Sequence, residues 1–171
     1  MSQLFLQYMN TAFLLTGGNL GDRLQNLQQA YNLIEKNCGH IIESSSIYKT
    51  AAWGFTEQPD FYNQALQLET ELSAEKLMGT LLSIEKNMGR ERDIKMGPRI
   101  IDIDILLLND IVLNSSLITI PHPRLAERRF ALTPLAEIAA DIIHPVLHKS
   151  IKKLLAECND DLPVYKISAK N

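Results

Sequence analysis

Apolar residues along this chain recur at two periods, and the switches between them mark its elements. "TAFLLTGGNLGDRLQNLQQAYNLIEKNCGH" reads as a strand, a glycine turn and a helix. Its apolar residues Leu24, Leu27, Tyr31 and Ile34 fall at helical spacing, with Asp22 as N-cap and Gly39 in the left-handed position past the end. "IIESSSIYKT" predicts one strand and "AAWGFTEQPD" an irregular loop. "FYNQALQLET" predicts another strand, with Tyr62, Gln64, Leu66 and Leu68 on one side and Phe61, Asn63, Ala65 and Gln67 on the other. "LSAEKLMGTLLSIEKNMG" predicts a second helix capped by Ser73. Its buried stripe is Leu77, Leu81, Ile84 and Met88, and Gly89 stops it.

The order β-α-β-β-α, followed by a strand in "GPRIIDIDILLL", predicts an α+β fold: a ferredoxin-like split βαβ antiparallel sheet with helices packed on it. A C-terminal helical extension follows. It comprises a stretch from Arg124 to Ala139 that breaks at Pro134, a helix from Ser150 to Cys158, and a short last strand. One domain over residues 1–171 is expected, with no repeats and no linker.

The most apolar run carries two aspartates. Strand alternation points Ile101, Ile103, Ile105 and Leu107 one way and Asp102, Asp104, Leu106 and Leu108 the other. Residues two apart on a strand are roughly 6.5–7 Å apart, so both carboxylates can converge on a shared cation. Buried without a positive partner, either would cost several kcal/mol, on the order of 3–5. A short D-x-D alone is more often a solvent-facing strand end, here paired with Arg99. "MGRERDIKMGPR" changes that balance, because Arg90, Arg92, Lys95 and Arg99 immediately precede the pair. Arginine forks match phosphate oxygens, and two carboxylates suit Mg²⁺, which keeps waters and is completed by phosphate. "GGNLGD" is better explained as a tight strand-to-helix turn than as a phosphate loop, and no G-x-x-x-x-G-K-[ST] pattern occurs. In "TIPHPRLAERRF", two prolines fix the backbone around His122, and Arg128, Arg129 and Phe130 open a helix.

Composition narrows the class. With 46% hydrophobic residues, 22% charged and a net charge of −3, the chain can bury a sizeable core and lacks the basic excess that nucleic acid or an anionic membrane requires. No apolar run reaches the ~20 residues of a membrane helix, and the N-terminus makes a poor signal peptide. Cys38 and Cys158, each at a helix end, are expected as reduced packing thiols in a cytoplasm.

Taken together, "GGNLGDRLQNL", "SSIYKT", "QPDFYNQAL", "IEKNMGRER", the DID strand and "PHPR" followed by a phenylalanine resemble, in order, the 6-hydroxymethyl-7,8-dihydropterin pyrophosphokinases of folate biosynthesis. The resemblance covers nearly the whole chain. It implies the ferredoxin-like fold, transfer of the β,γ-pyrophosphoryl group of ATP to the pterin's hydroxymethyl group, two Mg²⁺ ions, and release of AMP. It further implies that Asp102 and Asp104 hold metal and that Arg90 and Arg92 act with them in catalysis. Glu85, Arg90, Arg92, Arg99, Ile105, Thr119, His122 and Arg128 would bind ATP. Thr50, Ala51, Trp53, Phe61, Asn63 and Phe130 would bind the pterin. A flat polar bicycle does call for aromatic faces and a rim amide. Met96, Leu82 and Leu117 depart from the family pattern, bearing on loop closure and adenosine contact. The expected partners are the two small-molecule substrates, with the chain a monomer. Two alternatives stay open: a non-catalytic ligand-sensing module of the same shape, and nucleotidyl transfer at the D-x-D pair.

Overall fold

The computed structural model describes residues 8–52, 56–91 and 97–167. Strand β1 (Asn10–Gly18) leads into helix α1 (Arg23–Asn37), and strands β2 (His40–Ser44), β3 (Ile47–Thr50) and β4 (Phe61–Thr70) follow. Helix α2 (Ala74–Asn87) and strand β5 (Asp102–Leu108) complete the split βαβ pattern. Beyond it lie a small hairpin, β6 (Leu113–Asn114) with β7 (Thr119–Ile120), helices α3 (Arg129–Ala139) and α4 (Ile151–Glu157), and strand β8 (Val164–Ile167). The sheet runs β5-β1-β4-β3-β8, with β2 also on β4, and its pairings are antiparallel.

Local signals account for the helix ends. The Asp22 carboxylate accepts from Gln25 N–H and the Ser73 hydroxyl from Lys76 N–H, closing each first turn. Gly39 and Gly89 take positive φ just past the two helices. Helix α1 buries Leu27, Ala30 and Ile34, whereas Leu24, expected inside, is 49% exposed. Ala30 lies in the stripe instead and lets the helix sit close to the sheet.

Helices α1 and α2 cover one face of the sheet through Ala12, Leu14, Leu66, Leu68, Ile103 and Ile105. The C-terminal extension covers the other face. There Ala131, Leu132 and Leu135 of α3 and Ile151 and Leu154 of α4 pack on Phe13, Leu15, Ala65, Leu106 and Leu107. The extension is therefore a second layer with its own core.

Three expectations from periodicity are corrected. The predicted single strand over 41–50 is two strands, broken where Ser45 turns inward. Its N–H donates to Ala65 C=O at 2.9 Å, and its hydroxyl accepts from Ala65 N–H at 2.9 Å. The register of β5 on β1 shifts between Phe13 and Leu14, so Leu106 is the extra residue of a bulge. Past it the alternation inverts: Leu107 joins the α3 side and Leu108 the α1 side. Pro134 does not start a new helix but lies buried inside α3. The break comes earlier, at Arg128, which is extended at φ −120° and ψ 99° between a 3-10 turn (Leu125–Glu127) and α3. Burial of Ala131, Leu132 and Leu135 offsets the one helical bond a proline cannot make.

Both cysteines are buried free thiols at helix C-caps, and burial pushes the Cys38 thiol up to about 11. No described helix is long and apolar enough to cross a membrane. Glu137 ties α3 to the sheet edge, accepting from Ser46 Oγ at 2.8 Å, from Tyr48 Oη at 2.5 Å and, more distantly, from Lys166 Nζ at 3.4 Å. Burial and this carboxylate push the Tyr48 phenol up to about 12. Tyr48→Phe should lower unfolding free energy by about 1.5–3 kcal/mol, since a hydrogen bond to a charged group is lost. Denaturant titration checks this, and an unchanged midpoint would show the bond to be idle.

Candidate active site

Strand β1 has to end in small residues because other chain segments cross it closely. A Cβ on Gly17 would stand 2.1 Å from Asn63 Oδ1, and one on Gly18 would stand 2.1 Å from Ile100 C=O. The glycine pair belongs to the strand itself, and the turn comes later, at Gly21 with φ 65°. The turn expected in this stretch is present, closed by Gly21 and capped by Asp22, and close approach at Gly17 and Gly18 is added to it. Two glycines after an apolar run, followed by an asparagine, were the available signal. Asn19 is buried, and its Oδ1 accepts from Arg99 N–H at 2.9 Å.

These crossings leave a cavity of about 250 Å³ at one end of the sheet. The start of β5 supplies Asp102 and Asp104, and the start of β4 supplies Phe61 and Asn63. Thr50 ends β3, Glu85 lies near the end of α2, and Arg128 and Phe130 stand at the start of α3. Ala51, Arg90, Arg99 and His122 also line the wall. Twelve of the sequence-predicted residues therefore converge here, joined by Leu15, Gly17, Met78, Leu82 and Ile103. Ile105 and Thr119 do not line it. The Ile105 side chain is in the core beneath α1 and α2, and the Thr119 hydroxyl lies 3.1 Å from Asn114 Oδ1. Trp53, Arg92, Lys95 and Met96 lie outside the described residues, and Leu117 is exposed.

The cavity's charges are paired with one another. Arg90 Nη1 bridges Glu85 Oε2 and Asp102 Oδ1, the latter at 2.8 Å. Arg99 Nε lies 3.5 Å from Asp102 Oδ2, so the pairing with Arg99 foreseen for a bare D-x-D is present alongside the Arg90 contact. The second oxygen of Glu85 accepts from Ile103 N–H at 2.7 Å, capping the outer edge of β5. Burial and the neighbouring Asp102 charge push Glu85 up to about 7. The same causes push Asp104 up to about 7, against the opposing pull of Arg128.

Burial and carboxylate crowding thus outweigh the pull of the nearby arginines on these two groups. Two carboxylates on one strand face fit a hard cation that keeps its waters and shares phosphate oxygens. Groups of three or more His, Cys, Asp or Glu able to hold a metal are absent among the described residues, so the donor set does not resemble an all-protein cage. Among the described residues, Arg99 Nε is buried without a hydrogen-bond partner, a donor suited to an anionic ligand.

His122 is held by backbone. Its N–H donates to Leu106 C=O at 2.9 Å, so the β5 bulge fixes it. Its Nδ1 accepts from Arg124 N–H at 3.2 Å, which places the ring proton on Nε2. Burial and Arg128 push its pKa down to about 4, so it is a neutral donor at pH 7. On the opposite wall, Asn63 Nδ2 donates to Thr50 Oγ1 at 3.0 Å. The Phe61 ring lies 5.1 Å from the Arg99 guanidinium and the Phe130 ring 5.7 Å from that of Arg128.

Residues 13–140 match the family model of 7,8-dihydro-6-hydroxymethylpterin-pyrophosphokinase (HPPK). The chain belongs to this family. The activity of HPPK enzymes is ATP-dependent pyrophosphoryl transfer to hydroxymethyldihydropterin, the one expected from the sequence. The 2-amino-4-hydroxy-6-hydroxymethyldihydropteridine pyrophosphokinase of Aquifex aeolicus is 39% identical over 87% of this chain and 92% of its own. That of Bacillus subtilis is 38% identical over 78% of this chain and 80% of its own. The folic acid synthesis protein FOL1 of Dictyostelium discoideum is 38% identical over 85% of this chain, which spans only 22% of that longer protein. The HPPK-DHPS structure from Plasmodium falciparum superposes with a TM-score of 0.72 at 19% identity, over 91% of this chain and 45% of that one, and supports the ferredoxin-like fold.

The raised Asp104 carboxyl has a measurable consequence. Folded protein retains a proton that unfolded chain has released, so this contribution to stability is full below the ordinary 3.8 and lost as pH rises through about 7. In metal-free, ligand-free protein, Asp104→Asn should be more stable than the parent at pH 8, with the gap closing as pH falls through that window. Melting curves across pH check this, and a gap that widens on acidification would contradict the account.

Proposed function

We propose that this chain transfers the β,γ-pyrophosphoryl group of ATP to the hydroxymethyl oxygen of 6-hydroxymethyl-7,8-dihydropterin, releasing AMP. The observation that carries the reading is the cavity itself: a carboxylate pair facing guanidinium groups at one side, and aromatic rings with a fixed amide at the other. In the reaction the hydroxymethyl oxygen bonds to the β-phosphorus, the bond from that phosphorus to the α-phosphate oxygen breaks, and the hydroxyl proton is lost.

Asp102 and Asp104 hold Mg²⁺, two ions in this reading. Bound there, magnesium would supply positive charge that offsets the triphosphate. Arg90, Arg99 and Arg128 bind phosphate oxygens, and Arg92 joins them in catalysis. Arginine's rigid fork suits each to a group whose charge is redistributed during transfer. His122 donates Nε2–H to phosphate as a neutral ligand, so it adds no charge that titrates near pH 7. Glu85 holds Arg90 in place and faces the nucleotide. Phe61 and Phe130 sandwich the heterocycle, and Asn63, oriented by Thr50, reads its edge, with Ala51 and Trp53 alongside. Holding the hydroxyl in line with the β-phosphorus supplies much of the rate. The reading also takes the chain as a cytoplasmic monomer and one domain, with the reduced thiols Cys38 and Cys158 buried in support of that compartment.

Product analysis separates this reading from its rivals. Protein given Mg²⁺, ATP and hydroxymethyl-dihydropterin should form AMP in step with the pterin diphosphate. ADP would indicate γ-phosphoryl transfer and pyrophosphate would indicate nucleotidyl transfer. Asp102→Asn should cut kcat by about 10³-fold or more, as removal of a metal-assisted step does. Ligand binding without turnover in the parent would leave a sensing module as the answer.

A further inference from the structure

Asn19 lies in the turn after β1 and has no part in the functional reading above, yet it is only 3% exposed and uses its whole side-chain amide. Its Oδ1 accepts from Arg99 N–H at 2.9 Å, while its own N–H donates to Arg99 C=O at 3.0 Å. One residue therefore grips both backbone polar groups of Arg99. On its other side, Nδ2 donates to Pro59 C=O at 2.9 Å and to Gln58 Oε1 at 2.9 Å. Pro59 stands two residues before Phe61, and Arg99 stands three before Asp102.

Asn19 thus bridges the two segments. Arg99 reaches Asp102 with its Nε and lies over the Phe61 ring with its guanidinium, so small shifts of either backbone would misalign both walls. The neighbouring Gly18 lets Ile100 C=O approach too closely for any Cβ, which presses the Arg99 segment onto Asn19. A buried amide with two donors and one acceptor satisfied is rigid, because rotating it would strand buried polar groups.

We propose that Asn19 is a positioning residue that sets the phosphate-side Arg99 and the pterin-side Phe61 in one frame. The acceptor half of its amide serves the nucleotide and the donor half serves the heterocycle. This rests on the functional reading above.

The test uses the full chain in four forms: parent, Asn19→Ala, Asn19→Asp and Thr70→Val. Thr70 is buried at the far end of β4, where its hydroxyl donates to Cys38 C=O at 2.5 Å, so its variant controls for lost stability alone. Melting temperature, calorimetric affinity for a non-hydrolysable Mg-ATP analogue and for hydroxymethyl-dihydropterin, and AMP formation are read for each. Asn19→Ala, which loses one side-chain hydrogen bond to Arg99 and two to the Gln58–Pro59 segment, should weaken both ligands by about tenfold. Asn19→Asp keeps the acceptor and loses both donors. It should weaken the pterin by about tenfold and the nucleotide by less than about threefold. Thr70→Val should lower the melting temperature and leave both affinities unchanged.

If the Asn19 variants melt lower, as Thr70→Val does, while binding both ligands like the parent, the assignment is overturned. It is overturned too if Asn19→Asp weakens both ligands equally. Should Asn19→Ala not fold, Asn19→Asp alone decides. A parent that forms no AMP would sink the functional reading and this assignment with it, whereas an active parent matched by its Asn19 variants would sink the assignment alone.

Discussion

A cluster of acids that cannot all be charged at once without help governs this molecule. Glu85, Asp102 and Asp104 crowd one cavity wall, and burial with mutual repulsion holds the first and last up near 7. Arg90, braced between Glu85 and Asp102, is the principal internal counter-charge. An isolated buried carboxylate would be several kcal/mol uphill, on the order of 3–5 for a pair with one partner removed. The chain keeps such a cluster at the end of an otherwise apolar strand, and much of the surrounding structure holds the compensating groups in place.

The fold supplies that support through backbone more than through side chains. The β5 bulge offers the Leu106 carbonyl to His122, and the bare Cα atoms of Gly17 and Gly18 let Asn63 and the Arg99 segment approach β1. Helix α3 brings Arg128 and Phe130 from the opposite layer, and Glu137 locks that helix to β3 and β8 through Tyr48 and Lys166. The C-terminal layer thus forms a wall of the cavity as well as a core. A shift of α3 by even an ångström would move an aromatic face and a cation together.

What could be read in advance follows the range of the interactions involved. Asp22, Ser73, Gly39 and Gly89 act within a turn of their own position, so the helix ends were visible in the sequence. The convergence of Asp102 with Asp104 follows from a period of two and holds up to Leu106. Beyond that residue the bulge inverts the faces, because pairing with β1 and not local preference sets the register. Leu24 and Pro134 were misread for a related reason: burial against a partner layer decides both, and periodicity within one segment does not contain it. Asn19 and the Gly17–Gly18 pair were the hardest to see. Their importance lies in segments some 40 and 80 residues away, and a single chain offers only the oddity of glycines and an asparagine closing an apolar strand.

The charge inventory of the cavity explains why such a wall suits its proposed cargo. Among the described lining residues, three carboxylates, Glu85, Asp102 and Asp104, face three guanidinium groups, Arg90, Arg99 and Arg128. Without ligand, Arg90 and Arg99 lie against Asp102, so the cations already sit beside the acids. A bare dication would meet arginines beside the aspartates, and a bare triphosphate would meet aspartates beside the arginines, so each alone is repelled by half of the site. A triphosphate carrying its cations presents both signs together. It can take the arginines from the aspartates while delivering the positive charge that replaces them, leaving the buried balance unchanged. In a low-dielectric cavity, where uncompensated charge dominates every other term, that matching makes a metal-bound nucleotide the natural occupant of this wall.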